Sequence, residues 1–158
     1  MRKNLKPNMF VTFFIAYLNA RSGRLVYSNA GHNPVVIFDP SRKRCSFHKM
    51  AGPPLGIFPP TEFDMEIEEY EIQLEPGALI LQYTDGLNES MNTHGQQFSL
   101  NRILSECKRN AVSGAKTLVP CLIDAERKFR GDSPPADDVA VLALSVGERV
   151  PARANPGE

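Results

Sequence analysis

The sequence predicts one α+β domain, and three observations support that fold class. Short apolar runs with strand-like alternation occupy much of the chain up to residue 83 and return near its end, at 139–144. Turn-forming residues separate these runs. Between residues 99 and 130 the apolar spacing becomes helical. With 158 residues, 42% of them hydrophobic, the chain is long enough to bury one core and short for two.

The first apolar run, MFVTFFIAYL at 9–18, allows two interpretations. It follows three basic residues and is followed by Ala20, which is also the pattern of a secretory signal. However, the turn-like NARSG and the renewed run LVY come directly after it. Two apolar runs around a glycine-containing turn are typical of a β-hairpin. The hairpin, with strands at 9–19 and 24–28, is therefore favoured.

The remaining strands follow from apolar runs and period-two alternation. Residues 51–60, AGPPLGIFPP, contain four prolines, which exclude a helix or a central strand there. A bulge or turn near residues 68–69 explains why the alternation shifts from odd to even positions. The further predicted strands are 35–38, 63–67, 70–74, 78–83 and 139–144.

Two helices are predicted in the second half. The first begins near Ser99, a possible N-cap, and presents Ile103 and Cys107 on its apolar face. The second lies within 117–130, with Pro120 in its first turn and a glycine at its end. Residues 1–8 are interpreted as the remnant of an upstream segment, and the tail 146–158 as disordered.

Charge and cysteine content exclude several classes of partner. The 18 basic and 18 acidic side chains cancel, so nucleic acid and anionic membranes are not expected partners. No apolar run reaches the roughly 20 residues that span a bilayer. Cys45, Cys107 and Cys121 form no CxxC motif and leave one thiol over in any disulfide pairing. We therefore expect reduced thiols in a cytoplasmic protein.

Acidic residues at strand ends are the candidate chemical groups. Asp85 follows the strand 78–83, and Asp137 and Asp138 precede the strand 139–144. Carboxylates at such rigid positions suit Mg²⁺ or Mn²⁺, which prefer oxygen ligands. Turn chemistry explains the same residues, because Asp-Gly is a common turn pair. On spacing alone, both interpretations remain open.

Four segments in order strengthen the metal interpretation: MFVTFFIAYLNARSGRLVYSNAGHNP, PPLGIFP, LEPGALILQYTDGLNES and ADDVAVLAL. Together they resemble the SpoIIE-type branch of the metal-dependent protein phosphatases, the PPM family, over residues 9–145. The resemblance implies a β-sandwich flanked by helices, in the four-layer αββα arrangement. It also implies a dinuclear Mn²⁺ or Mg²⁺ centre. The implied reaction is hydrolysis of phosphoserine or phosphothreonine on a protein by metal-activated water.

The resemblance assigns roles to five residues. Asp85 and Asp137 match metal-binding aspartates of the family. Asp138 falls where more distant relatives often carry asparagine, which implies a contact near the site rather than metal ligation. Gly86 would let the backbone pass close to the site. His32 of NAGHNP would contact phosphate or water, or would only satisfy its own turn.

One family feature is expected to be missing. The aspartate that bridges both metals belongs to a motif upstream of the first strand, and residues 1–8 contain neither an acidic residue nor a glycine. The chain therefore resembles an N-terminally truncated catalytic domain.

Two functions remain open. The first is a phosphatase that acts on a regulatory protein, a STAS-type anti-sigma-factor antagonist as in the family. The second is a catalytically silent module that binds such a partner. The third possibility is a β-rich domain in which the acidic residues only form turns and have no chemical role. An exposed sheet edge also predicts dimerisation or aggregation.

Overall fold

Two antiparallel sheets and two long helices form the part of the chain that the structure describes. In this computed structural model, the described residues are 9–48 and 52–147. The strands are β1 (Phe13–Asn19), β2 (Arg24–Ala30), β3 (Val36–Asp39), β4 (Arg44–Phe47), β5 (Tyr70–Gln73), β6 (Leu79–Tyr83) and β7 (Val141–Ser145). The helices are α1 (Pro60–Glu66), α2 (Asp85–Asn88), α3 (Ser99–Asn110) and α4 (Ala115–Arg130), and a 3₁₀ turn covers Ala111–Ser113.

The smaller sheet is built on the N-terminal hairpin. Its strand order is β1-β2-β5, and both pairings are antiparallel. The side chain of Asn19 shapes the hairpin turn by accepting hydrogen bonds from the backbone N–H groups of Arg21 and Ser22. Gly23 closes the turn at φ +77°, a left-handed conformation that glycine adopts without steric cost. The predicted hairpin is therefore confirmed, and β2 extends to Ala30.

The larger sheet has the strand order β4-β3-β6-β7, again antiparallel throughout. The two sheets pack face to face. Their shared core is formed by alternate residues of both sheets: Leu25, Tyr27, Val35, Ile37, Leu74, Ala78 and Val146. In a β-sandwich every second residue of a strand faces the core, so this alternation of buried apolar side chains is expected.

A second core lies between the larger sheet and the helices. The other face of β3 and β6 contributes Phe38 and Leu81, and α3 and α4 cover them with Ile103 and Leu118. Cys107 is fully buried in this cluster, as its position on the apolar face of the helix predicts. All three cysteines are free. The α+β fold class and the sandwich flanked by helices are confirmed.

Several local predictions were wrong. Residues 60–66 form α1, not the strand expected at 63–67. Pro60 occupies the first helical position, where its fixed φ suits a helix. Its missing N–H costs nothing there, because an N–H at that position has no partner within the helix. The strand β4 and the short helix α2 were missed. Ser99 is the first residue of α3, at φ +69°, and no side chain caps that helix. Pro120 lies inside α4 rather than in its first turn.

The chain remains ordered just beyond the last strand. Val146 is buried and exchanges backbone hydrogen bonds with the β5–β6 turn, through Gly77 and Ala78. The expectations for residues 1–8 and for 148–158 of the tail fall outside the described residues. Among the helices at 9–48 and 52–147, none is long and apolar enough to cross a membrane.

Candidate metal centre

Asp85 lies at the point where β6 ends and α2 begins. The strand runs to Tyr83, Thr84 is extended, and Asp85 is the first residue of the helix. The side chain of Asp85 is exposed at one end of the sandwich, and its Oδ1 accepts a hydrogen bond of 3.0 Å from the backbone N–H of Gly86. Leu87, fully buried, anchors the same short helix in the core. The carboxylate therefore projects into solvent from a firmly held segment.

Gly86 brings α2 against the loop that precedes β7. A Cβ atom on Gly86 would lie 2.4 Å from the carbonyl oxygen of Asp138 and 3.2 Å from that of Asp137. Real Cβ atoms do not approach a backbone atom that closely, so only glycine fits here. This contact explains why a glycine follows Asp85.

Thr84 joins the same two segments by hydrogen bonds. Its hydroxyl donates to the carbonyl oxygen of Asp138 at 3.0 Å and accepts from the N–H of Ala140 at 2.9 Å. Its backbone N–H also donates to the carbonyl oxygen of Ala140 at 3.0 Å. The segments that carry Asp85 and Asp137 are thus bonded side by side.

Asp137 and Asp138 occupy an exposed loop. Oδ1 of Asp137 accepts a hydrogen bond of 2.7 Å from the N–H of Asp138, which orients the Asp137 carboxylate. Asp138 contributes its backbone carbonyl to the contacts with Thr84 and Gly86, while its side chain is exposed. The two neighbouring acids therefore differ in their surroundings.

His32 belongs to the same end of the sandwich. The buried side chain of Asn29 braces its turn, since it accepts from the N–H of His32 at 2.7 Å and donates to the carbonyl oxygen of His32 at 2.9 Å. Nδ1 of His32 lies 3.3 Å from the hydroxyl of Thr12. Burial lowers the pKa of His32, and the nearby Asp85 carboxylate partly opposes that shift. The lowered pKa favours the neutral imidazole of His32.

The donor set is oxygen-rich but small. Asp85 and Asp137 offer carboxylates, the ligands that Mg²⁺ and Mn²⁺ prefer. Within 9–48 and 52–147, no three side chains of His, Cys, Asp or Glu lie close enough to hold one ion together. Asp85 and Asp137 on their own would supply only part of the coordination shell of a divalent cation, and water or other groups would have to complete it.

A cleft of about 550 Å³ borders Asp137 on its other side. It separates α4 from the loop, and its lining includes Glu126, Arg127 and Arg130 as well as Asp137 and Asp138. Sequence reasoning did not find the α4 residues or Thr84 and Asn29. Helical spacing places Glu126 beside Leu122, but nothing local indicates that a charged residue there is buried.

A comparison with protein-family models now bears on this arrangement. Residues 1–147 match the model described as Stage II sporulation protein E. The chain belongs to the SpoIIE family. Because the match spans nearly the whole chain, it covers both aspartate-bearing segments of this SpoIIE-family protein.

Known relatives agree with the family. Over 148 residues the chain is 26% identical to the phosphoserine phosphatase RsbU of Bacillus subtilis, covering 91% of this chain and 41% of RsbU. It is also 28% identical over 137 residues to protein IcfG of Synechocystis, covering 86% of this chain and 20% of IcfG. The SpoIIE-family chain therefore spans less than half the length of these relatives.

The fold is also that of solved SpoIIE-family and PP2C phosphatase domains. The SiaA-PP2C domain of Pseudomonas aeruginosa superposes with a TM-score of 0.70 at 18% identity, covering 85% of this chain and 51% of that one. The SpoIIE phosphatase domain of Bacillus subtilis, solved after presoaking with Mn, has a TM-score of 0.60 at 20% identity, covering 89% of this chain and 58% of that one. The expected PPM-type phosphatase fold is confirmed.

Proposed function

We propose that this chain forms part of a metal-dependent protein serine/threonine phosphatase, in which Asp85 and Asp137 hold Mn²⁺ or Mg²⁺. The observation that carries the proposal is the joining of the two aspartate-bearing segments by Gly86 and Thr84. The kinship with RsbU, a phosphoserine phosphatase, supports the reaction class. The manganese-presoaked SpoIIE domain supports the kind of metal.

When bound, the metal would lower the pKa of a coordinated water so that the water can act as a nucleophile at neutral pH, and it would offset negative charge on the phosphoryl group. Two backbone N–H groups of the chain orient the proposed ligands. The N–H of Gly86 orients the carboxylate of Asp85, and the N–H of Asp138 orients that of Asp137. In this proposal His32, whose turn is held by Asn29, donates a hydrogen bond to phosphate or water. Asp138 acts through its backbone, by fixing the loop against Thr84.

The substrate we propose is a phosphorylated regulatory protein of the STAS-type anti-sigma-factor antagonist class. Both aspartates are exposed at an edge of the molecule rather than enclosed in a deep pocket. A phosphoserine on a protein surface can approach such a site, whereas a small metabolite would make few contacts with it. The identity of the class rests on the family resemblance.

Hydrolysis of an aryl phosphate in the presence of Mn²⁺ tests the proposal. We expect turnover that EDTA abolishes and that Asp85→Asn or Asp137→Asn lowers by at least about 100-fold, because losing even a residue that only orients a metal ligand costs about 10–100-fold. Asp124→Asn, an exposed aspartate on α4, is the matched control and should keep full activity. Turnover that survives EDTA or both active-site substitutions would contradict the metal assignment.

The small donor set favours a second candidate function. Since no three potential ligand side chains converge in the described ranges, the chain could bind its partner protein without hydrolysing the phosphate. A folded protein that shows no turnover with Mn²⁺, yet binds a phosphorylated STAS-type protein, would support this silent module over the phosphatase.

We also propose that a second copy pairs with the edge strand β7. Leu142 and Leu144 face the space between the sheets and are 70% and 44% exposed. They line an open cleft of about 320 Å³ together with Phe14 and Leu18 of β1. An apolar edge strand of this kind invites pairing with another chain.

We expect light scattering to show dimers that increase with concentration. Leu142→Lys should shift the protein toward the monomer, because a charge on an edge strand opposes strand addition. Val112→Lys, equally exposed but outside the sheets, should leave the equilibrium unchanged. A monomer at every concentration would contradict the pairing.

A further inference from the structure

A buried chain of polar contacts connects α2, α4 and the loop before β7. The hydroxyl of Ser90, just after α2, donates to Oε1 of Glu126 at 2.6 Å. Nε of Arg130 donates to the same oxygen at 2.9 Å, and Nη1 of Arg130 donates to the carbonyl oxygen of Ser133 at 2.5 Å. One end of this chain therefore touches the segment that follows Asp85, and the other touches the loop that carries Asp137.

The ion pair within this chain is unusual for its burial. The side chain of Glu126 is 5% exposed and that of Arg130 is 21% exposed. Buried ion pairs contribute little net stability compared with apolar residues of similar size, because both charges must leave water. Burial of a charged pair here therefore calls for a role other than packing.

Few residues of the loop are buried, so contacts such as this tether are needed to hold the loop in position. From residue 131 to residue 138, every residue except Ser133 is exposed. A cleft of about 550 Å³ separates the loop from α4. Arg130 bridges that gap at its base, since its guanidinium contacts Ser133 while its own helix anchors it to Glu126.

We propose that Glu126 and Arg130 are positioning residues, which set the place of Asp137 relative to Asp85 by tethering the loop to the segment after α2. This inference rests on the proposed metal centre, but the tether itself is a property of the metal-free chain. Neither residue is among the proposed metal ligands, Asp85 and Asp137. Arg130 suits the role because its planar guanidinium holds its N–H donors in a fixed arrangement, in which Nε donates to Glu126 and Nη1 to the carbonyl oxygen of Ser133.

Amide hydrogen exchange in the metal-free protein tests the tether. The informative N–H groups are those of Ser133, bonded to the carbonyl oxygen of Arg130, and Ala140, bonded to the hydroxyl of Thr84. In the double variant Glu126→Leu/Arg130→Met we expect exchange at both to be about tenfold faster or more, as loss of a charged hydrogen bond predicts. The double variant leaves no unpaired buried charge, but the buried hydroxyl of Ser90 loses its acceptor. We therefore expect a folded protein with a moderately lower melting temperature.

Arg127→Met is the matched control, because Arg127 lies on the same helix and lines the same cleft but is not part of the contact chain. It should leave exchange at Ser133 and Ala140 unchanged. Mn²⁺ affinity measured by calorimetry should fall by about 10-fold or more in the double variant and remain unchanged in the control.

Three outcomes distinguish the tether, its link to the metal centre and the proposed function. Unchanged exchange at Ser133 and Ala140 in a folded double variant overturns the tether. Faster exchange with wild-type Mn²⁺ affinity overturns its link to the metal centre. Faster exchange in a protein whose wild type binds no Mn²⁺ supports the tether and contradicts the proposed function instead.

Discussion

Gly86→Ala should destabilise the protein and separate the two aspartate-bearing segments. The added Cβ would lie 2.4 Å from the carbonyl oxygen and 2.9 Å from the carbonyl carbon of Asp138, and neither backbone atom can rotate away. Alanine favours a helix over glycine by about 1 kcal/mol, whereas forcing an atom into a filled space costs about 1–3 kcal/mol. Moving the loop would also break the bonds between Thr84 and Asp138. We therefore expect a net loss of stability.

Urea unfolding and Mn²⁺ calorimetry would measure the effect of Gly86→Ala. The free energy of unfolding and the affinity for Mn²⁺ should fall together. Gly147→Ala provides the control, since nothing lies within 4 Å of a Cβ at that position, and its effect should stay within about 0.5 kcal/mol. If alanine at position 86 raised stability and kept Mn²⁺ affinity, the close approach of α2 to the loop would be wrong.

Leu118→Ala should strongly destabilise the helix–sheet core. Leu118 on α4 is fully buried and packs in the cluster that contains Leu81 of β6 and Ile103 of α3. Truncating such a leucine loses its burial and leaves a cavity, which costs about 2–5 kcal/mol. That is a large share of the roughly 5–15 kcal/mol that stabilises an ordinary domain.

Thermal and urea denaturation would quantify the loss in Leu118→Ala. Val112→Ala, whose side chain is 71% exposed just before α4, should change the free energy of unfolding by less than about 0.5 kcal/mol. Equal effects of the two substitutions would mean that α4 does not cover the larger sheet as described.

The strands were predictable where apolar alternation was long and turn residues marked both ends. The hairpin of β1 and β2 and the strand β6 are examples, because burial on one face leaves a clear period of two. Residues 63–67 show the same alternation, and yet all of them except Ile67 lie in α1. There the fixed φ of Pro60 and the start of a helical turn outweigh a pattern of only three apolar residues.

The site was predictable only in part. Asp85 and Gly86 stood out because they come just after an apolar strand, and the structure packs Gly86 against the backbone of Asp137 and Asp138. The metal-binding roles of Asp85 and Asp137 stay predictions. Glu126 could not be found from the sequence, because its partner Ser90 is 36 residues away and its burial depends on how α4 packs.

The hydrogen bonds of Thr84 have a consequence for folding. They connect residues 54 and 56 positions apart in sequence, so the candidate site is a long-range contact. Closing so long a stretch of chain costs entropy that only the completed pairing repays, and such contacts form slowly. During synthesis, which delivers the N-terminal side first, β6 emerges well before its neighbour β7. The segment that carries Asp85 is therefore made well before the segment that carries Asp137, and the hydrogen bonds of Thr84 can join the two only after the later segment has been made.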